Sequence, residues 1–308
     1  MTSARRRVHL DNETSMALYD QTAQAAAAQV IARYSTSFGM GSKMLSPVQR
    51  RHIESVYAMV RVADEIVDTY RGADAGTLLA GFESEVWRAM EAGYSTNLVA
   101  HAFGATAAAV GITREQTDPF FASMRMDLER TVHDEASFAA YVFGSAEVVG
   151  EMCLAVFVNS STGAREMDPR LRAGARRLGA AYQKVNFLRD LGADEERLGR
   201  SYFPGFSAST LTDADVAELV AGCRADIAVA RECLTGLPRR AAASVQTTID
   251  IYDRLLNDIE STPVADLPST RVRVANPTKA YLALRNSLPG AASRREAARS
   301  RARRATPQ

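Results

Sequence analysis

Four aspartates with the spacing of a metal site fall in two short segments that lie far apart in the chain. Asp64 and Asp68 belong to "YAMVRVADEIVD", and Asp190 and Asp194 belong to "QKVNFLRDLGAD". Residues four apart share one face of a helix, so the two carboxylates of each pair project together. Oxygen ligands without a His or Cys cluster favour a hard divalent cation, Mg²⁺ or Mn²⁺.

Each aspartate pair continues a polar line along its helix. Positions i, i+4, i+7 and i+11 share a helix face. In the first segment they are Tyr57, Arg61, Asp64 and Asp68. The second segment has nearly the same pattern, i, i+3, i+7 and i+11, in Gln183, Asn186, Asp190 and Asp194, with Arg189 on the flank. Buried carboxylates are costly unless they are paired or bound to metal. We therefore predict that the two helices face each other, share divalent cations and bind a diphosphate between them.

The alternative interpretation is that each acid pair is a solvated helix face or a polar helix end. One such pair by itself is typical of a solvated face. Two stripes with matched spacing, each with Arg and an amide or phenol, favour the shared site instead.

The apolar residues recur at intervals of three and four, which predicts an all-α protein. Ser46 is a candidate N-cap, and Pro47 suits the first helical position. The breaks between helices are too short for an interdomain linker. One domain is predicted over 16–288, with disordered tails at 1–15 and 289–308. The predicted helices cover 16–34, 46–70, 74–92, 95–111, 113–132, 135–160, 168–197, 212–235, 238–261 and 277–287.

The composition excludes several classes of protein. The 308 residues have a formal net charge of +1, so no nucleic-acid partner is expected. Three cysteines without a C-x-x-C spacing favour a reducing cytoplasm over a disulfide framework. The first twenty residues lack the apolar stretch of a secretory signal. The sequence has no run of about 18 apolar residues, so no membrane span is expected.

The sequence resembles the squalene/phytoene synthase family of head-to-head prenyltransferases, most closely its actinobacterial phytoene synthase branch. The resemblance extends over roughly residues 17–288 and is most specific in five stretches. One of them, "VYAMVRVADEIVD", holds the first aspartate pair, and four others are distributed along the chain. They are "YSTSFGMGSKMLSP", "YVFGSAEVVGEMCL", "GAAYQKVNFLRDLGADEERLGRSYFP" and "RVRVANPTKAYLALR". This resemblance implies an isoprenoid-synthase-type helical bundle around a central apolar cavity.

The resemblance also implies roles for single residues. The implied Mg²⁺ or Mn²⁺ ligands are Asp64, Asp68, Asn186, Asp190 and Asp194. Side chains around the substrate diphosphates are implied at Ser35, Ser37, Phe38, Tyr57, Arg61, Gln183, Asn186, Arg189 and Tyr252. Tyr141 matches a cavity tyrosine and joins the four aspartates as a catalytic candidate.

Three positions depart from the family pattern. Many relatives have His at the position of Tyr34 and a basic residue at that of Thr36, so phosphate contact there is less assured. Glu147 stands where many relatives carry a small residue. A carboxylate would be out of place beside a carbocation, so we expect Glu147 to point toward a neighbouring helix.

The implied reaction is the metal-dependent condensation of two geranylgeranyl diphosphates, through prephytoene diphosphate, to phytoene in carotenoid biosynthesis. No NAD(P)H is expected, and "GMGSK" at 39–43 lacks the strand that a nucleotide-binding loop requires. The terminal base is left open between the released diphosphate and a tyrosine. One alternative is a C15 enzyme that makes presqualene diphosphate or dehydrosqualene; another is a non-catalytic assembly protein on the same fold.

Two expectations concern the surroundings of the enzyme. The protein is expected to act as a monomer in the cytoplasm, with peripheral contact to the inner face of the cell membrane. The tail from Arg294 to Arg304 holds six arginines and one acid, Glu296, and is a candidate for binding anionic lipid.

Two apolar segments are interpreted mainly as packing. In "FFASMRMDLER", the residues Phe120, Phe121, Met124 and Leu128 form a predicted core face, and Asp127 is interpreted as part of that helix rather than as a site residue. A second group lines the prenyl channel or packs in the core, two options that remain open. It consists of Met152, Cys153, Val156 and Phe157.

Overall fold

A computed structural model describes residues 15–288, apart from the side chain of Ala193, and these residues form an α-helical bundle. In chain order the helices are α1 (Met16–Tyr34), α2 (Ser37–Ser42), α3 (Pro47–Asp68), α4 (Ala75–Ala92), α5 (Leu98–Val110), α6 (Arg114–Glu129), α7 (Glu135–Val142), α8 (Val148–Asn159), α9 (Pro169–Leu198), α10 (Asp213–Cys233), α11 (Arg239–Glu260) and α12 (Asn276–Ser287). Two 3₁₀ turns, Leu234–Gly236 and Val264–Asp266, interrupt the connections.

The all-α prediction is confirmed: within residues 15–288 no strand forms, only an isolated bridge between Val132 and Ser201. The predicted order of helices also holds, with α2 as an additional short helix. The predictions for the tails fall on residues 1–14 and 289–308, which lie outside the described residues.

The start of α3 follows from its local sequence. The Ser46 side chain accepts a hydrogen bond from the Gln49 N–H, while the Gln49 side chain accepts one from the Ser46 N–H, and Pro47 occupies the first turn. This capping box satisfies two backbone donors that a helix start otherwise leaves unpaired. It sets where α3 begins and therefore which residues fall on its inner face.

The predicted helix over 135–160 is continuous but contains a π-helical turn, Phe143–Glu147, between α7 and α8. At Gly144 a Cβ atom would lie 2.1 Å from the Pro119 carbonyl oxygen, so the turn packs directly on α6. By length and composition Glu135–Asn159 is apolar enough to cross a membrane, but more than half of it is buried inside the protein. It is therefore a core helix, packed against α6 and α9.

Two large apolar clusters fill the described part of the bundle, beside a small third cluster of alanines from α1, α3 and α5. One joins α9, α10 and α11 around Leu188, Ile227 and Leu256, and the other joins α3 to α6 and α8 around Met59 and Phe103. Phe120, Phe121 and Met124 are buried as predicted, whereas Leu128 is exposed because it lies beyond the part of α6 that its neighbours cover. A large cavity lies between α3, α8, α9 and α11.

Two glycines allow α9 to pack closely against the π turn and α8 at one side of the cavity. A Cβ atom at Gly179 would lie 2.3 Å from the Ala146 carbonyl oxygen, and one at Gly150 would lie 2.3 Å from that of Ala175. Real Cβ atoms do not approach a backbone oxygen this closely. The small residues in "GSAEVVG" and "RRLGAAY" therefore place the π turn and α8 directly on α9.

Candidate functional site

The cavity is long, apolar and polar at one end. The space inside it is about 1370 Å³, its open mouth included. Its lining follows α9 from Leu171 to Asn186, roughly 22 Å at 1.5 Å per residue. Polar side chains gather toward the Asn186 end, where Tyr57, Gln183 and Tyr252 also line the space. Cys153 and Phe157 are part of the wall, whereas Met152 and Val156 are buried in the core behind it.

The polar stripe of α3 lies beside this end of the cavity. Tyr57 lines the cavity, and Arg61 pairs with Glu65 while its guanidinium lies 4.5 Å from the centre of the Tyr34 ring. Burial raises the pKa of Asp64 well above its ordinary value, the charge of Asp68 raises it further, and Arg61 opposes both. Arg61 therefore does not offset the combined effect of burial and of Asp68 on the Asp64 carboxylate.

The stripe of α9 reaches the same end. Gln183 donates a hydrogen bond to the Ser145 hydroxyl (3.4 Å), and Asn186 accepts one from the Tyr252 hydroxyl (3.3 Å). One turn further on, Asp190 is paired with Arg189 and with Arg271, whose Nε lies 2.8 Å from Oδ1. Asp190 thus differs from Asp64 in having two cationic partners.

Arg200 links the ends of the two stripes: its N–H donates to the Asp194 carbonyl (3.2 Å) and its Nη1 donates to Asp68 Oδ1 (2.6 Å). Burial raises the pKa of Asp194 to about 7, and the charges of Asp190 and then Asp68 raise it in the same direction against Arg200 and Arg189. Asp68 lies on α3 and Asp194 on α9, so the carboxylates of the two segments share one electrostatic environment. The C-terminal ends of the two stripes therefore lie beside each other, about two helical turns beyond the Asn186 end of the cavity.

Between α1 and α3 lies the segment Ser35–Phe38. The Ser35 hydroxyl accepts a hydrogen bond from the Phe38 N–H (3.1 Å) and contacts Tyr57, and the Phe38 ring lines the cavity edge-on to Tyr182. Ser37 begins α2 and does not line the cavity. Phe38 is therefore the member of this segment that contacts the apolar space.

A lysine from a distant helix brings a basic group to Thr36. The Lys279 Nζ of α12 donates to the Thr36 hydroxyl (2.9 Å). Burial lowers the pKa of Lys279, and the nearby charges of Arg189 and Arg273 lower it further. The basic side chain that Thr36 itself lacks is thus supplied through the tertiary structure, in a positive cluster of Lys279, Arg189 and Arg273.

Tyr141 does not line the cavity, which corrects the prediction of a cavity tyrosine. It lies at the end of α7 on the side that faces α6, where its hydroxyl donates to Oδ2 of Asp127 (2.9 Å). The ring packs against Tyr202, with centroids 5.3 Å apart. The residue is buried in the core behind the aspartates, and the π turn after it directs Ser145 toward the cavity instead.

Three residues beside the aspartates were not among the predicted site residues. Arg200 Nη1 donates to Asp68 Oδ1 (2.6 Å) and to the Tyr202 hydroxyl (3.2 Å), and that hydroxyl donates to Asp127 Oδ1 (3.2 Å). Burial raises the pKa of Asp127 to about 7, with Arg200 opposing. The available signals were an acid inside an apolar helix face and an arginine in "GRSYFP", the end of a stretch that carries the family resemblance.

Glu147 is absent from the cavity lining, in line with the expectation for this residue. Burial raises its pKa, and Arg176, Arg177 and Lys184 of α9 oppose that shift. The carboxylate is therefore held in a cluster on α9, away from the apolar space.

The donor set fits a divalent cation only together with further ligands. Within the part of the chain that the structure describes, no three His, Cys, Asp or Glu side chains converge closely enough to hold a metal ion. Yet Asp64 and Asp194 are carboxylates whose pKa values are raised by burial and by acidic neighbours. A cation would stabilise the ionised form of these carboxylates, and one that completes its shell with water and phosphate oxygens, as Mg²⁺ usually does, suits this donor set.

Comparison with known proteins agrees with this geometry. Residues 31–278 match the family model described as squalene/phytoene synthase. The chain belongs to the squalene/phytoene synthase family. Family members are prenyltransferases that act on prenyl diphosphates and use divalent metal to bind the diphosphate.

Individual relatives are moderately similar. The chain is 29% identical to the chloroplastic phytoene synthase 3 of Zea mays over 82% of its own length and 64% of that protein's. It is 28% identical to the presqualene diphosphate synthase of Zymomonas mobilis over 66% of each. The chain thus spans about two thirds of the length of these relatives.

Among solved structures, the squalene synthase HpnC of Alicyclobacillus acidocaldarius superposes with a TM-score of 0.70. The alignment covers 80% of this chain and 97% of that one at 21% identity, so it supports the fold alone. The predicted isoprenoid-synthase-type bundle is confirmed.

Proposed function

We propose that this protein is a phytoene synthase, which condenses two geranylgeranyl diphosphates head to head through prephytoene diphosphate. The proposal rests mainly on one observation: the ends of the acidic stripes of α3 and α9 lie beside each other, about two helical turns beyond the polar end of a long apolar cavity. That arrangement suits a substrate with a dianionic head and a hydrocarbon tail. The relation to a plant phytoene synthase supports the choice of substrate.

The side chains divide into two roles in this proposal. Asp64, Asp68, Asp190, Asp194 and Asn186 would hold Mg²⁺ or Mn²⁺, which supplies charge neutralisation of the leaving diphosphate. Lys279, Arg189 and Arg273 form a positive cluster that can hold diphosphate oxygens by charge-assisted hydrogen bonds. Together these groups stabilise the charge that develops as the allylic C–O bond breaks.

The cavity wall protects the cation that is left behind. Ionisation of one diphosphate leaves an allylic cation, which joins the second substrate in a cyclopropyl intermediate with loss of a proton. A second ionisation rearranges that intermediate, and loss of a proton gives the triene. The apolar wall excludes water from each cation. Three tyrosines, Tyr57, Tyr182 and Tyr252, line the cavity, whereas Tyr141 lies outside its lining, so among tyrosines these three are the candidate terminal bases.

The nearest alternative is a C15 enzyme, favoured by the similarity to a presqualene diphosphate synthase. The deciding experiment is incubation with geranylgeranyl or farnesyl diphosphate and Mg²⁺, with and without NADPH, followed by extraction and mass analysis. We expect C40 phytoene without any need for NADPH. A C30 product from farnesyl diphosphate, with no C40 product from the longer substrate, would replace the proposal by its alternative.

We further propose that the protein acts as a monomer at the inner face of the cell membrane, with α12 as the contacting helix. Tyr281, Leu284 and Leu288 occupy positions i, i+3 and i+7 and are 62%, 64% and 49% exposed. The Arg-rich segment 294–304 follows directly in the sequence, and each basic residue near anionic lipid contributes about 1 kcal/mol.

Sedimentation with anionic and neutral liposomes tests the membrane contact. We expect the full chain to bind anionic liposomes, and both Leu284→Ser and removal of residues 290–308 to weaken binding. Equal sedimentation of all three proteins would remove α12 and the tail from the proposal. Light scattering in solution measures the oligomeric state.

A further inference from the structure

Arg200 has two carboxylate partners that come from different helices. Its Nη1 lies 2.6 Å from Oδ1 of Asp68 on α3 and 3.3 Å from Oδ1 of Asp127 on α6. Its Nη2 also donates to the Val67 carbonyl (3.0 Å), and its side chain is only 7% exposed. A guanidinium this deeply buried requires a carboxylate partner at all times.

The two partners differ in how firmly they are held. The Asp68 side chain is 38% exposed and lies at the edge of the aspartate cluster. Asp127 is 3% exposed, and both of its oxygens accept phenol hydrogen bonds, one from Tyr141 and one from Tyr202. Asp127 therefore belongs to the rigid core, whereas Asp68 faces the site.

The backbone keeps Arg200 beside Asp127. The Ser201 N–H donates to the Thr131 carbonyl (2.8 Å), and Val132 and Ser201 form the isolated bridge of the fold. His133 then stacks on the Tyr202 ring with centroids 5.9 Å apart. These contacts join the segment after α9 to the end of α6 independently of Asp68.

We propose that Asp127 is a positioning residue that retains the Arg200 side chain in the core, so that the Asp68 carboxylate can exchange Arg200 for a divalent cation. This inference depends on the proposed metal-binding role of Asp68. A guanidinium in contact with a carboxylate oxygen repels a divalent cation on the same carboxylate, so Arg200 and the cation compete. Asp127 favours the cation in this competition, because it gives the displaced Arg200 guanidinium a second, buried acceptor.

Equilibrium binding of Mn²⁺ to the full chain, in the presence of inorganic diphosphate, tests the proposal without any catalytic turnover. Free Mn²⁺ is followed by its electron paramagnetic resonance signal. We expect Asp127→Asn to weaken binding about tenfold, within the range for residues that support metal ligands. The matched control is Asp118→Asn, an exposed aspartate of the same helix paired with Arg114, which should bind as the unmodified chain does.

The double variant Asp127→Asn/Arg200→Met separates positioning from general damage. Without Arg200 no competitor remains for Asp68, so Mn²⁺ binding should return to that of the unmodified chain or exceed it. A double variant that binds as weakly as Asp127→Asn would overturn the inference, because Asp127 would then act independently of Arg200. Unchanged binding in Asp127→Asn would overturn it as well.

A single Arg200→Met variant decides the question if Asp127→Asn does not fold. It should bind Mn²⁺ at least as tightly as the unmodified chain, and weaker binding by a protein with an unchanged melting temperature contradicts the competition. If the unmodified chain itself fails to bind Mn²⁺ with diphosphate, the proposed function fails rather than this inference alone.

Discussion

Two groups of carboxylates in this bundle, Glu151 and the aspartates at the ends of α3 and α9, differ in how fully the protein's own cations and hydrogen-bond donors stabilise their charge. Glu151 of α8 is 1% exposed and is bound by Arg172 (2.9 Å), Arg176 and the Gln116 amide (3.2 Å). Burial by itself raises its pKa, but these hydrogen bonds outweigh burial and the net pKa is lowered. At the other cluster the pKa of Asp64 and of Asp194 is raised.

The difference separates a structural ion pair from a binding site. Glu151 has all the partners it needs from the protein, and it connects α6, α8 and α9. The cations beside Asp64 and Asp194 do not offset the cost of burying these carboxylates, so the ionised acids lower the stability of the folded protein until a ligand neutralises them. A shortage of partners at buried acids indicates a ligand site more specifically than burial does.

The largest expected effect is at the aspartate cluster. Asp64→Ala/Asp190→Ala removes one carboxylate from each helix, and turnover of geranylgeranyl diphosphate should fall about a thousandfold or more. The fold should persist, since these acids do not stabilise it, and circular dichroism with a product assay measures both. Unchanged function with both aspartates gone would favour the non-catalytic assembly protein.

The pH dependence of stability should have opposite signs at the two clusters. Folded pKa values of about 7 for Asp127 and Asp194 exceed unfolded values near 4, so the folded state binds more protons. Their contribution to stability is complete below pH ~4 and is lost as pH rises through about 7, a loss on the order of 4 kcal/mol for each group. The lowered pKa of Glu151 acts in reverse, with stability lost as pH falls.

Urea unfolding of the metal-free protein at pH 5 and pH 8 measures this dependence. We expect the free energy of unfolding to be lower at pH 8, and Mg²⁺ with inorganic diphosphate to restore part of it by binding the folded state. Greater stability at pH 8 than at pH 5 in the absence of ligand would contradict this prediction. It would show that the protein's own cations stabilise the ionised aspartates sufficiently.

At the compensated cluster, Glu151→Gln should lower the free energy of unfolding by about 2 kcal/mol, because two arginines lose their charged acceptor. The product assay should change little, since Glu151 does not line the cavity. Chemical denaturation and the assay, run on the same preparation, distinguish the two effects. A loss of turnover without a loss of stability would assign Glu151 to the site.

The smallest effect is expected at the edge of the site. Arg271 is 50% exposed in its pair with Asp190, so Arg271→Met should change the free energy of unfolding by less than about 1 kcal/mol. Arg254→Met, in the exposed pair of Arg254 with Asp258, is the matched control. A change of several kcal/mol at Arg271 would mean that Asp190 is a structural ion-pair partner like Glu151.

Local sequence was sufficient for the elements of the fold and for both stripes. Ser46, Pro47 and Gln49 are contiguous, so the start of α3 could be predicted from hydrogen-bond chemistry alone. The four-residue spacing of the aspartates likewise follows from helix geometry. Local sequence was not sufficient for Tyr141, which lies outside the cavity lining because its hydroxyl is bound to Asp127 of a different helix.

The sequence by itself determined the helices and the matched acid stripes, because periodicity, capping and side-chain chemistry are properties of neighbouring residues. The tertiary structure alone decided the partners: Lys279 beside Thr36, and Arg200 between Asp68 and Asp127. Those pairs join residues far apart in the chain, and their meeting depends on helix packing. Compensation of a buried charge is therefore a property of the folded bundle.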